Sequence, residues 1–134
     1  MKFIEGKSVV LGRLASFVAK ESLKGEEIKI FNCDQVIITG NLKTTQKEFE
    51  EKRGRFGHSQ KGPKHHATSE KIVKRAIRGM LPNFREGRGK QAFRRIKCYS
   101  AIPKEFQETK LIVISKDKKN KYAEVKNFTK GDKK

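Results

Sequence analysis

The side chains with the widest chemical range are His58, His65, His66, Cys33 and Cys98. His65 and His66 are chain neighbours, so on regular structure they point in different directions. Together with the cysteines they match no zinc-ligand spacing, and no metal site or cofactor is expected. The two cysteines lie far apart in the sequence with no CxxC pair and no disulfide framework, a usage that fits a reducing compartment. Gly6-Lys7-Ser8 resembles the end of a phosphate-binding GxxxxGKS loop, but the position that needs the first glycine is Met1. No GxSxG elbow or other local signature of a Ser or Cys nucleophile is present. Acids are scarce in the middle of the chain, so paired-carboxylate chemistry has little to work with. Catalysis on a small-molecule substrate is therefore not expected.

Binding is the chemistry that remains. The chain has 134 residues, with 33 Lys and Arg against 15 Asp and Glu and a net charge of +18. Hydrophobic residues make up 34% and charged residues 36%, enough for one modest core with extensive polar surface. The charge is concentrated. Residues 53–97 hold 14 Lys and Arg against only Glu70 and Glu86, a net of +12. A solvated helix face would intersperse acids among its cations. A segment without them calls for a polyanion, and nucleic acid supplies phosphates in quantity. An anionic membrane would call for an apolar span or a basic amphipathic helix with Trp, and Trp is absent. The first residues, from Met1 to Gly6, have no long apolar stretch with a cleavage site, and no secretion signal is expected.

The elements that must position this segment are legible from periodicity. Phe3-Ile4 reads as a short strand. Leu11, Leu14, Ala15, Val18 and Ser22 form one helical stripe, and Gly25 suits its end. Ile28 to Phe31 is a second strand. Val36-Ile37-Ile38 is an apolar run between Asp34 and Gly40, of the kind found in a sheet covered on both faces. Thr45 with Glu48 has capping-box spacing, which predicts a polar helix from there to about Arg53. Residues 54–68 form a basic Gly-containing loop. Ile72, Val73, Ala76, Ile77 and Met80 predict a helix ended by Gly79 and Pro82. Residues 81–89 form a second Arg- and Gly-rich loop, and Ala92, Phe93 and Ile96 suggest a short helix. Cys98-Tyr99 opens a strand, and Leu111 to Ile114 is a last apolar run. The Lys-rich tail from Lys116 is expected to be loosely ordered. The alternation of strand and helix argues for an α/β layer structure.

Several blocks then fall into place. Gly12-Arg13-Leu14-Ala15-Ser16, Ala19-Lys20, Ile38-Thr39-Gly40-Asn41, Lys61-Gly62-Pro63-Lys64-His65, Arg78-Gly79-Met80-Leu81-Pro82, Arg88-Gly89, Lys97-Cys98-Tyr99 and Ile102-Pro103 stand in this order. Over about residues 3 to 106 they resemble the large-subunit ribosomal protein L-thirteen family, in its archaeal and eukaryotic form. The resemblance implies a three-layer α/β/α fold with a small, mainly parallel four-stranded sheet and basic loop and helix extensions. It implies a structural, non-catalytic constituent of the large ribosomal subunit that binds and stabilises large-subunit ribosomal RNA and supports assembly and translation. Partners would be that RNA and neighbouring large-subunit ribosomal proteins, in the cytoplasm.

Carried onto this chain, the resemblance makes the loop from Gly54 to Lys64 face RNA, with Arg55 and Lys61 in it. It adds Arg75, Arg78, Arg85, Arg88, Arg94 and Arg95. The charge of the segment adds Arg53, His65, Lys71, Lys74 and Lys90. The organisation expected is one domain over residues 1–106, containing the basic segment 53–97, and a Lys-rich extension over 107–134. Two departures stand out. Thr68 replaces a common Pro, though a Thr there can cap the following helix. Ala101 replaces a common Gly and puts the turn geometry in doubt. Two rival readings share parts of this pattern: a free regulator that binds messenger or transfer RNA, and an enzyme acting on nucleotides or RNA.

Overall fold

In chain order the elements are β1 (Lys2–Glu5), α1 (Leu11–Leu23), β2 (Ile28–Phe31), β3 (Ile37–Thr39), α2 (Leu42–Gly54), α3 (Ser69–Met80), α4 (Gly87–Arg94), β4 (Ile96–Cys98), β5 (Ile112–Val113) and β6 (Tyr122–Glu124). They come from a computed structural model that describes residues 1–55, 64–114 and 121–130. The architecture is α/β, with a small parallel four-stranded sheet in the order β4-β2-β1-β5 and flanking helices.

One sheet face is aliphatic. Ile4 stands beside Ile30, and Ile28 beside Ile96. These side chains pack with the inner stripes of α1, α3 and α4 into a single core. In α1 the stripe Leu14, Ala15, Val18, Ala19 and Ser22 is buried and faces inward, with Glu21 buried beside it. Gly25 ends that helix at φ +103°, and its N–H donates to the Ser22 carbonyl at 3.1 Å. The left-handed backbone there strains any residue with a Cβ. The opposite sheet face is aromatic. Phe31 lies 5.4 Å from the ring of Tyr99 and 5.6 Å from that of Phe106, and the Lys29 ammonium sits 4.1 Å from the Phe106 centroid.

Cys33 is buried and its N–H donates to the Tyr99 carbonyl at 3.1 Å, across from β4. Hydrogen bonding with Cys98, then burial, pushes its thiol far above the ordinary value. The sequence gives no hint of this neighbourhood, because the parallel pairing of β2 with β4 creates it.

Several expectations change. The Val36–Ile38 run does not enter the four-stranded sheet. Residues 37–39 pair antiparallel with β6, and Val10 bridges to Ile37. The tail from Lys116 is accordingly not all loose. β6 and the turn Val125–Phe128 bury Ala123, Val125 and Phe128, and the Val125 N–H donates to the Val36 carbonyl at 2.8 Å. Helix α2 starts before Thr45. Gly40, at φ +119°, turns the chain out of β3, and the Asn41 side chain accepts from the Lys43 N–H at 3.0 Å. Asn41 is thus the cap, and Thr45 lies inside the helix. Helix α4 begins at Gly87, within the expected loop, and Ile96 belongs to β4 instead of a helix. Met80 is exposed at the end of α3. Thr68 caps α3 through its backbone, with the carbonyl accepting from Ile72 N–H at 3.0 Å and no side-chain cap bond. Ala101 does not need the left-handed backbone; among the described residues other than glycine only Ser8 and Asn32 adopt it.

Candidate nucleic-acid interface

The basic segment is carried by the end of α2, the connection into α3, α3 itself, the turn after it and α4. Helix α3 sets the frame. Its inner stripe of Ile72, Val73 and Ile77 is buried, which forces Lys71, Lys74, Arg75 and Arg78 toward the outside. Helix α4 docks through Gly89 and Ala92. A Cβ at Gly89 would lie 2.5 Å from the Asn83 carbonyl oxygen and closer still to that of Pro82. Only glycine lets the helix sit flush on that turn. With that face down, Arg88, Lys90 and Arg94 stand exposed, as does Arg85 in the turn before the helix.

The fourteen positions expected to face RNA fall into distinct settings. Arg53, Arg75 and Arg95 are tied to the protein's own backbone. Arg53 donates to the carbonyls of His66, at 3.2 Å, and Phe128. Arg75 donates to the Lys64 carbonyl at 2.6 Å, and Arg95 to that of Ser22 at 3.3 Å. Burial holds the Arg53 guanidinium below its usual value, against the opposing pull of Glu50. A second group stacks on rings. Arg78 and Arg85 both lie over Phe84, at 4.6 and 5.5 Å from the centroid, and Lys74 lies over Phe93 at 4.8 Å. Phe84 and Phe93 are themselves 6.3 Å apart. These rings hold the cations in fixed directions without neutralising them. The third group, Arg55, Lys64, Lys71, Arg88, Lys90 and Arg94, is exposed. Lys61 lies outside the described residues, and so do His58 and most of the 54–64 loop.

His65 lies half-buried beside Arg75. Burial lowers its pKa, and the cations Arg75, Lys52 and Arg53 lower it further. His66 is shifted the same way by burial and by Lys71, Arg75 and Arg78. Both shifts favour the neutral imidazole.

Ion pairing divides the molecule. Glu21 binds Lys2 and Lys24, Glu26 binds the amino terminus at 3.4 Å, and Glu124 binds Lys126 at 2.6 Å. Among the described residues of 53–97, no Lys or Arg is salt-bridged to a carboxylate. The charge count foresees that imbalance. It does not foresee Phe84 and Phe93 as the platform. The signal for them is present in the chain: both are aromatic residues interleaved with arginines, as Phe84-Arg85 and Phe93-Arg94. Among the described residues no group of His, Cys, Asp and Glu could hold a metal ion, and no helix is long and apolar enough to cross a membrane.

Residues 1–105 match the family model for ribosomal protein L13. The large ribosomal subunit protein uL13 of Methanosarcina barkeri is 43% identical over 116 residues, covering 86% of this chain and 81% of the relative. That of Methanocaldococcus jannaschii is 44% identical over 108 residues, covering 78% and 77%. That of Methanococcoides burtonii is 36% identical over 132 residues, covering 98% and 94%. A family model that spans β1 to β4, the four α-helices and the whole basic segment, together with relatives aligned over most of their length, makes this chain a member of the ribosomal protein L13 family.

Proposed function

We propose that this chain is a structural constituent of the large ribosomal subunit that binds and stabilises large-subunit ribosomal RNA, supporting subunit assembly and translation in the cytoplasm. The observation that carries this reading is the run of cations from α3 through α4 with no carboxylate partner among the described residues. A charge arrangement of this kind is self-repelling in the free chain and is relieved by phosphate. As a member of this family the chain is a structural, non-catalytic protein.

The contacts divide by setting. Arg88, Lys90, Arg94, Lys71, Lys64 and Arg55 reach phosphates directly, and Lys61 belongs with them by sequence. Lys74, Arg78 and Arg85 approach the RNA from their ring platform. Arg53, Arg75, Arg95 and His65 hold the surface in shape and add bonds through whichever donors the protein does not use. Phosphate contacts fix position, and RNA shape sets specificity. Neighbouring large-subunit proteins are the remaining partners.

The test has two parts. The tagged chain should sediment with the large subunit in cell extract at low salt. Purified chain should bind large-subunit ribosomal RNA with a steep salt dependence. A chain that sediments free of the subunit, on messenger or transfer RNA, would replace this reading with that of a regulator.

A further inference from the structure

A groove of about 300 Å³ opens between α2, the connection into α3, and α3. Its floor is apolar, made by Leu11 at the start of α1 with Phe49, Ile72 and Ala76. Its rim is polar, made by Lys52, His65, His66 and Arg75. We infer that this groove seats one unpaired nucleotide of the bound RNA, the base on the floor and its phosphate at Lys52 and Arg75. The inference rests on the RNA-binding reading and adds a mode of recognition to it.

A phosphate alone would gain nothing from an apolar floor, whereas an unstacked base has two apolar faces to cover. The volume is at the small end for an organic ligand and fits a single nucleotide. The rim supplies both kinds of group the ligand requires. Neutral His65 and His66 each offer a donor and an acceptor to a base edge. Lys52 and Arg75 offer positive charge, and Arg75 is held in place by its bond to the Lys64 carbonyl. Lys71, Arg53 and Arg78 stand close enough to influence the histidines, so a phosphate entering here meets cations from α2 and α3. A base within a duplex keeps its faces stacked and cannot enter.

The groove makes single-stranded and duplex RNA distinguishable. The full chain is titrated by fluorescence anisotropy with a short single-stranded RNA and with a duplex of the same length, alongside an Ala76→Leu variant. That variant narrows the groove from its floor and changes no charge. Wild type should bind both, and Ala76→Leu should lose about tenfold in affinity for the single strand with duplex binding unchanged. Equal losses for both RNAs, or no loss for either, would overturn the groove while leaving RNA binding intact. Wild type binding neither RNA would overturn both readings. If Ala76→Leu fails to fold, the wild-type chain still decides: the His65 and His66 ring resonances should shift further on adding the single strand than on adding the duplex, and equal or reversed shifts reject the proposal.

Discussion

Residues 1–52 and residues 53–97 treat their charges in opposite ways. In the first stretch Glu21 sits on α1, nearly buried, and receives both Lys2 from the sheet and Lys24 from the same helix. Charge there is used to fasten elements to one another. In 53–97 the cations bind backbone carbonyls, lie on rings or stand free, and among the described residues none meets an acid. The hydrophobic core is continuous across both stretches, so the difference does not come from a change of fold. It teaches that the charge of the second stretch is not there to hold the chain together. Folding tolerates it, and a partner must account for it.

The broadest way to break that contrast is to remove exposed cations. Replacing Arg85, Arg88, Lys90 and Arg94 together by alanine should lower affinity for ribosomal RNA roughly a hundredfold at low salt. The logarithmic salt slope should shallow by about 0.7–0.9 for each phosphate no longer neutralised. Thermal stability should change by no more than about 0.5 kcal/mol for each substitution, as for other surface changes. Loss of stability in place of affinity, read by calorimetry beside a filter-binding assay, would erase the distinction between the two stretches.

A second change tests whether the surface depends on close packing beneath it. Gly89→Ala pushes a methyl group into the carbonyls of Pro82 and Asn83. It should destabilise the chain by about 1–3 kcal/mol in urea melts. RNA affinity should then fall without a change in formal charge. A neutral result would mean that α4 is not held flush against that turn.

Arg53→Ala sharpens the comparison from the other side, because Arg53 lies in the basic stretch yet works internally. Losing its bonds to His66 and Phe128 should cost about 1–2 kcal/mol. The effect on the salt slope should be smaller than that of any free arginine. A full unit of slope lost at Arg53 would return it to the phosphate-binding group.

The smallest effect is expected at Glu21. Hydrogen bonds from Lys2 and then Lys24 hold its carboxyl at about 2, below the ordinary 4.5. A lowered folded-state value stabilises the protein above the unfolded value and is lost as the carboxyl protonates. Stability should therefore decline as pH falls from 4.5 toward 2, and Glu21→Gln should flatten that decline in acid melts. An unchanged acid limb in the variant would show that Glu21 does not fasten β1 to α1.

How much of the fold is legible in the residues depends on the distance between partners. β1, α1, β2 and α3 follow from spacing within a dozen residues, so local periodicity suffices for them. β3 does not, because Ile37 to Thr39 pair with residues 122–124, in a stretch whose lysines hide three buried side chains. The start of α2 departs from expectation for a related reason: two good caps compete, and Asn41 wins because β3 ends just before it. At the candidate site the charge imbalance is plain in composition. The separation of tethered, stacked and free cations is not. It depends on where His66, Ser22, Phe84 and Phe128 come to rest, and no motif records that.

Helix α2 buries no residue of its own. Phe49 stacks on Phe128 at 5.0 Å and Arg53 reaches the Phe128 carbonyl, so both anchors end on one aromatic residue near the far terminus. Shortening the chain before Phe128 would leave the parallel sheet with all its strands and deprive α2 of its seat. The turn Val125–Phe128 thus aims a helix that is complete some seventy residues earlier, and the groove that helix walls would disappear with it.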